Sequence, residues 1–514
     1  MLGANLRGAA ARFGTRAAVV RGPEVLTYGE WDRHADELAA GLRARGLGPG
    51  DRVAAVLPSG PEWAVLAAAA DRAGVVLATA SPALAPPERA ALVELARPAL
   101  VVAGPDLVEG LPLRRSVEVL AAGGRGRELA RAGAPAPAEG IGDPEDTSAD
   151  ERPAVICFTS GTTGRPKAAL FRVRHVRAVQ SLDLGAAAAE WGGGGPMLAS
   201  TQFAHVGMAL KLPWYVRTGA TLHVLERWRA DDALELVARE RMTTLGVVAP
   251  QLALMLRSPL MDRLDLDCVR LIIAGGAASP PALVEEARRR FGAGYSIRYS
   301  STESGGVGLA TAPDAPDDEA LHTVGRPRPG VEARVVDEDD RPVATGEAGE
   351  LQLRSPAVMD GYWDDPDATA AALTPDGWLR TGDLAREDDR GRLVLCGRRT
   401  EMYIRGGYNV FPSEVEAVLG THPDVASVAV VPRADPVLGQ VGVAVVVPRG
   451  DRTPDLAALR EHAAGQLARH KLPEGVVVTD ALPLTSVAKV DRAALERLAE
   501  QDGVPSPTEA PGDR

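Results

Sequence analysis

Short apolar runs alternate with amphipathic stretches from about residue 25 to about residue 300, the pattern of an α/β domain. Asp32–Arg45 reads as a helix and Arg52–Leu57 as a strand. Asp231–Arg241 is a helix, Thr243–Val248 a strand and Pro280–Phe291 another helix. Ala121–Arg152 turns to Gly, Pro, Ala, Glu and Asp and reads as a long surface connection, and Gly192–Gly195 as a flexible turn. Val331–Leu353 predicts a β-ribbon with turns at Gly346 and Gly349.

From Glu401 the pattern changes. Pro412–Leu419 is helical, Ala426–Val431 and Val441–Val447 are strands, Leu456–Arg469 is a helix and Val476–Val478 a last short strand. That predicts a separate, compact α+β unit. The expected division is an α/β N-terminal domain over 1–396, a glycine-led hinge over 397–400, a C-terminal α+β domain over 401–500 and a disordered polar tail over 501–514.

At 514 residues the chain is too long for one core, which agrees with that division. A net charge of −12 and the lack of any basic stripe argue against nucleic acid as a partner. Cys157, Cys268 and Cys396 stand far apart, which argues against structural zinc and for a reducing compartment. The longest apolar stretch, Trp63–Ala85, is broken by Asp71 and Arg72, so no membrane span is expected. Arg7, Arg12 and Arg16 among alanines lack the serine richness of a transit peptide and read as a first amphipathic helix, leaving a cytoplasmic location as the default.

Only four of the 57 basic residues are lysine: Lys167, Lys211, Lys471 and Lys489. Arginine replaces lysine on most solvated faces, but not where a compact ammonium must reach one oxygen. Lys167 closes the run Thr159-Ser160-Gly161-Thr162-Thr163-Gly164-Arg165-Pro166-Lys167, which follows directly on the apolar strand Pro153–Phe158. Glycines free backbone N–H groups, hydroxyls add donors and the lysine adds charge, so the run reads as a phosphate cradle or as a plain polar loop. It lacks the Gly-Lys-Ser/Thr spacing of a P-loop.

Two further strands end in small or polar residues: Leu271–Ile273 before Ala274-Gly275-Gly276-Ala277, and Ile297–Tyr299 before Ser300-Ser301-Thr302-Glu303-Ser304-Gly305-Gly306. Ligands gather beyond the carboxyl ends of such strands. Gly275 and Gly276 permit close approach to a flat ring, and Glu303 can hold magnesium or be a solvated carboxylate. Asp383, after Trp378-Leu379-Arg380-Thr381-Gly382, can accept both hydroxyls of a ribose or cap a turn.

Thr159–Lys167, Tyr299–Glu303, Arg380–Asp383, Gly397–Glu416 and Pro483–Lys489 follow one another in order over nearly the whole chain. Together they resemble the adenylate-forming (AMP-binding) superfamily of acyl-CoA synthetases, stand-alone adenylation enzymes and luciferases. The resemblance implies a large α/β domain of mixed sheets with a β-ribbon subdomain, and a small mobile C-terminal domain. It implies that Thr159, Ser160, Gly161, Thr162, Thr163, Gly164 and Lys167 hold the β- and γ-phosphates of ATP. Tyr299 would stack on adenine beside Gly275, Gly276 and Ala277. Thr302 would contact the α-phosphate and Glu303 the Mg²⁺, while Asp383 and Arg398 bind the ribose. Lys489 would bridge carboxylate and α-phosphate, Thr400 would be the pivot, and Gly406 and Gly407 would let the pantetheine arm of coenzyme A pass. His205 matches the gate beside the acyl pocket, which Gly305 and Gly306 would open.

The Gly-Gly-Tyr-Asn-Val-Phe-Pro run, Gly406–Pro412, most resembles the CoA-ligase branch. The implied activity is conversion of a carboxylic acid to an acyl-adenylate with release of pyrophosphate, then transfer to the coenzyme A thiol. A carrier-protein thiol or an amine is the alternative acceptor, and a non-catalytic nucleotide-binding homologue the second alternative. The identity of the acid and the oligomeric state are left open. Lys211, six residues after His205, either pairs with a second anionic group of the substrate or snorkels to water. Ala168, Ala488 and Ser300 stand where the family often has glycine, and Thr400 where it has Asp or Lys. The two alanines add only a methyl group, which has room to crowd a phosphate or restrict the lysine loop, and their effect on rate is left open.

Overall fold

The computed structural model describes residues 1–111, 118–121, 150–160, 166–185, 187, 190–399, 401–450, 452–484 and 490–501. The chain is mixed α/β. A seven-stranded sheet runs in the order Gly361–Tyr362, Pro166–Arg172, Pro153–Ser160, Val76–Thr79, Arg52–Val56, Leu100–Ala103 and Glu118–Ala121. A five-stranded sheet holds Thr244–Val247, Leu271–Gly275, Gly294–Tyr299, Leu309–Ala310 and Arg326–Pro327. In both, parallel strands are extended by antiparallel ones at one edge. Two four-stranded sheets complete the large part. One pairs Ala17–Arg21 with Glu24–Thr27 and Thr221–Val224, and the other is the expected ribbon of Glu332–Val336 and Ala348–Arg354, continued by Leu379–Glu387 and Leu393–Arg398.

The local reasons are legible. The first helix, Leu2–Phe13, buries Leu2, Leu6 and Ala9 on one stripe. Thr27 and Glu30 form a reciprocal capping box that starts the helix Tyr28–Ala44, four residues earlier than the pattern suggested. The long apolar stretch splits into the buried helix Pro61–Ala73 and the buried strand Val76–Thr79, with Gly74 at φ +81° ending the helix. The charges that interrupt it are internally paired: Asp71 with Arg152 at 2.9 Å, and Arg72 with Asp36 at 2.9 Å and with Asp32. Among the described residues no helix is long and apolar enough to cross a membrane.

The C-terminal unit pairs Val425–Asp435 with Gly439–Pro448 over ten registered positions, and Gly475–Val478 joins in parallel. Helix Pro412–Leu419 has the bounds read from the sequence, and Leu456–Ala464 is five residues shorter than expected. Its core holds Tyr403, Val410, Val415, Leu419, Val430 and Leu459. Gly397 and Arg398 are still paired with Leu384 and Asp383 in the ribbon sheet, so the expected 397–400 linker begins inside a strand. Thr400, the 122–149 part of the expected surface connection and the 502–514 part of the expected tail lie outside the described residues.

Candidate active site

The three strand ends singled out in the sequence belong to two sheets. Pro153–Ser160 lies in the seven-stranded sheet, and Leu271–Gly275 and Gly294–Tyr299 neighbour each other in the five-stranded sheet. Pro153–Ser160 pairs antiparallel with Pro166–Arg172, setting Thr159 opposite Lys167 and Ser160 opposite Pro166. Gly161, Thr162, Thr163 and Gly164 lie outside the described residues. The strand places Lys167 and Ala168 on opposite faces. The Ala168 methyl is buried among Val76, Ile156 and Leu170, which corrects the expectation that it crowds a phosphate.

Tyr362 joins the two sheets. Its short strand pairs with Pro166–Arg172, opposite Ala169, which sets its ring 4.9 Å from the Lys167 ammonium. Its hydroxyl donates to Glu303 Oε1 at 2.9 Å, and Met359 N–H donates to the Glu303 carbonyl at 2.8 Å. Burial first, and Glu303 second, hold the Tyr362 phenol protonated. The loop carrying Thr302 and Glu303 is closed by its own bonds, Gly305 N–H to Thr302 O at 3.0 Å and Gly306 N–H to Ser301 O at 3.1 Å. Gly305 and Gly306 take φ near +70°, open to glycine. A side chain at Gly305 would strike the carbonyl of Ala357, so that glycine serves backbone packing. The Cβ position of Gly306 instead faces Val206, Gly207 and the Lys211 stem at 3.8–3.9 Å.

A second cluster sits at the end of the Gly294–Tyr299 strand. The Tyr299 hydroxyl donates to Asp383 Oδ2 at 2.5 Å, and Arg398 Nε lies 2.9 Å from Asp383 Oδ1. Asp383 and Arg398 face each other across paired strands. Asp383 is thus a strand residue rather than a turn cap, with Gly382 before it at φ +72°. Burial first, then Asp383, pushes the Tyr299 phenol well up, so it stays a donor. Gly276 takes φ +76°. At Gly275 a Cβ would meet the Arg298 carbonyl at 3.0 Å, so close packing of neighbouring strands accounts for that glycine. Ala277 follows on the same loop.

His205 caps the short helix Val206–Ala209, with its carbonyl accepting from Met208 and Ala209 N–H at 2.9 and 2.8 Å. The segment before it is pinned by Thr79 Oγ1 donating to Ala204 O at 2.7 Å and Phe203 N–H donating to Ser59 Oγ at 2.9 Å. Lys211 neither snorkels freely nor stands alone: its ammonium lies 3.1 Å from the buried Asp183 carboxylate. Lys471 is likewise held, by Glu414 at 2.6 Å. In the small unit Gly406 and Gly407, both at positive φ, form the two-residue turn between Tyr403–Arg405 and Tyr408–Val410. Lys489 lies outside the described residues, but the ends of its loop meet through a bridge between Leu484 and Val490.

The AMP-binding enzyme family matches residues 6–363, and the AMP-binding enzyme C-terminal domain matches residues 414–489. The chain belongs to the AMP-binding enzyme family. The indoleacetate–CoA ligase of Aromatoleum aromaticum is 34% identical over 496 residues, covering 93% of this chain and 94% of the relative. Among solved structures, the amide bond synthetase McbA from Marinactinospora thermotolerans superposes with a TM-score of 0.83 at 30% identity, covering 97% of this chain and 99% of that one. The o-succinylbenzoate CoA synthetase of Bacillus subtilis, solved with its acyl-adenylate intermediate, gives a TM-score of 0.78 at 25% identity, covering 96% and 97%.

In this AMP-binding enzyme, sequence reasoning passed over Tyr362, Asp183, Arg298 and Arg328. Tyr362 comes from a two-residue strand with no pattern of its own. The arginines are camouflaged in a chain that uses arginine for nearly all its positive charge.

Proposed function

We propose that this enzyme activates a carboxylic acid with ATP and passes the acyl group to the thiol of coenzyme A. The observation that carries the reading is the convergence on Tyr362 of Lys167 and Glu303, beside the Tyr299–Asp383–Arg398 cluster. A cation, a carboxylate and a ribose-sized pair of acceptors are thereby gathered from five segments distant in sequence. Asp383 is held by a phenol and a guanidinium and can accept ribose hydroxyls, while Tyr299 and Gly276 flank the adenine position. Thr159 and Lys167, opposite each other on paired strands, would face the phosphates, with Thr302 at the α-phosphate.

Among the described residues no group of three or more His, Cys, Asp or Glu side chains could cage a metal. A lone, oriented carboxylate fits Mg²⁺, which takes one or two protein carboxylates and completes its shell with phosphate oxygens and water. Glu303 would hold the ion, and the ion would neutralise charge on the phosphates. The acid's carboxylate oxygen attacks the α-phosphorus, the bond to the β-phosphate oxygen breaks, and pyrophosphate leaves. Negative charge on the phosphoryl oxygens is then met by Lys489, supplied by the small domain, so catalysis rests on positioning and cationic stabilisation. His205 would border the acyl pocket. In the second step the small domain would turn about Thr400 and present Gly406 and Gly407 to the thiol's path.

An amine or carrier-protein acceptor is the second reading, favoured by the likeness to an amide bond synthetase over nearly the full chain. A panel of carboxylic acids assayed for pyrophosphate release, with and without coenzyme A, separates the two. Acid-dependent release with thioester formation supports the proposal. Release that coenzyme A leaves untouched, with an added amine consumed instead, moves the assignment to the second reading.

A further inference from the structure

The cluster next to the Cβ position of Gly306, which faces Val206, Gly207 and the Lys211 stem, carries more positive charge than its own carboxylate can satisfy. The Asp183 side chain is only 9% exposed, and each of its oxygens holds a cation: Oδ2 Lys211 at 3.1 Å and Oδ1 Arg328 at 2.8 Å. Burial disfavours its charge, but Lys211 and Arg328 together outweigh that and keep it ionised. Tyr215, also within reach of Asp183, is partly buried, and desolvation first, then Asp183, keeps its phenol protonated. Arg298 is the third cation. It is half-buried, one residue before Tyr299, and within electrostatic reach of both Arg328 and Asp183. Its guanidinium makes no hydrogen bond or salt bridge among the described residues.

Three cations therefore share one carboxylate, each of whose oxygens already holds a cation. A half-buried guanidinium with no hydrogen-bonded partner among the described residues is costly unless an anion arrives to meet it. The Lys211 stem lies 3.9 Å from the Cβ position of Gly306, and Arg298 directly precedes Tyr299, so the cluster adjoins the Tyr299–Gly306 segment.

We propose that Arg298 reads a second anionic group on the acid, so that the preferred substrates are carboxylic acids bearing a further negative charge, with a dicarboxylic acid as the simplest class. Lys211 and Arg328 serve it by occupying Asp183, which would otherwise neutralise Arg298. The proposal rests on the acid-activating reading of the site and adds the substrate class to it.

The test uses straight-chain dicarboxylic acids of graded length, each beside its monomethyl ester, which keeps one carboxylate and removes the second charge. Wild-type enzyme should favour at least one diacid over its half-ester by about 10-fold or more in kcat/KM for pyrophosphate release. Arg298→Met should erase that preference through a raised KM for the diacid while activity on the half-ester persists, and Arg298→Lys should restore part of it. A wild type that prefers the half-ester at every length, or an Arg298→Met variant that loses both substrates equally, overturns the proposal. Should Arg298→Met fail to fold, the wild-type ratio decides. Calorimetry of diacid binding without ATP separates the two levels. No pyrophosphate release from any acid strikes at the activation reading. Diacid binding equal in wild type and a folded Arg298→Met strikes at the role of Arg298.

Discussion

At the scale of single residues, one tyrosine orients one carboxylate of the proposed site. The Tyr362 hydroxyl fixes Glu303 Oε1 while its ring faces Lys167. If Glu303 holds the magnesium, Glu303→Gln should lower turnover and shift the magnesium titration to higher concentration by about 10-fold or more. Tyr362→Phe, which keeps the ring and removes the hydrogen bond, should shift it the same way by less. An unchanged magnesium dependence in both variants would assign this pair to packing alone. Glu303 and Lys167 stood out in the sequence because carboxylate and ammonium chemistry is local to their motifs. Tyr362 did not, because its role exists only once Pro166–Arg172 pairs with Gly361–Tyr362. Gly275 and Gly305 show the converse: their glycine identity was legible, but the reason is a neighbouring carbonyl rather than a ligand.

At the scale of elements, periodicity located the helices and strands well, and their ends were set by caps it did not weigh. The helix Val173–Leu184 shows a cap with a titratable partner: His175 Nδ1 accepts from Arg172 N–H at 2.9 Å, which requires an unprotonated nitrogen. Burial first, then Arg174, lowers the His175 pKa to about 4 from its usual 6.5. Between those values the unfolded chain binds a proton that the folded chain refuses, so stability rises with pH there. Stability is therefore whole above about 6.5 and declines as pH falls toward about 4, by on the order of 1–3 kcal/mol from this group. His175→Gln, which can still accept the bond, should flatten that part of the pH–stability curve measured by urea unfolding. A slope identical to wild type would show that His175 titrates normally. The strand ends carrying the site were read correctly as strand ends. Their division between two sheets is decided by long-range pairing that no local pattern encodes.

At the scale of the whole molecule, the two-part organisation was visible as a change of pattern near Glu401, and the compact unit that follows has its own core. The seam itself is subtler. The ribbon sheet holds the chain through Arg398, and Ser413 of the small unit donates to the Cys396 carbonyl at 2.9 Å. A pivot at Thr400 would act just beyond that anchor. Thr400→Pro, which fixes φ near −65°, should impair adenylation and thioester formation unequally, as read by separate half-reaction assays. Equal loss in both would place the pivot elsewhere. Lys489→Ala should abolish acyl-adenylate formation and spare thioester formation from supplied acyl-adenylate. A near wild-type rate of adenylation in that variant would remove Lys489 from the first step.

The central claim is that a substrate carboxylate oxygen attacks the α-phosphorus of ATP. Turnover of an accepted acid labelled with ¹⁸O in its carboxylate, followed by mass spectrometry of the nucleotide and phosphate products, tests it directly. The account predicts one ¹⁸O atom in AMP and none in pyrophosphate. Unlabelled AMP, or ¹⁸O in inorganic phosphate beside ADP, would contradict it.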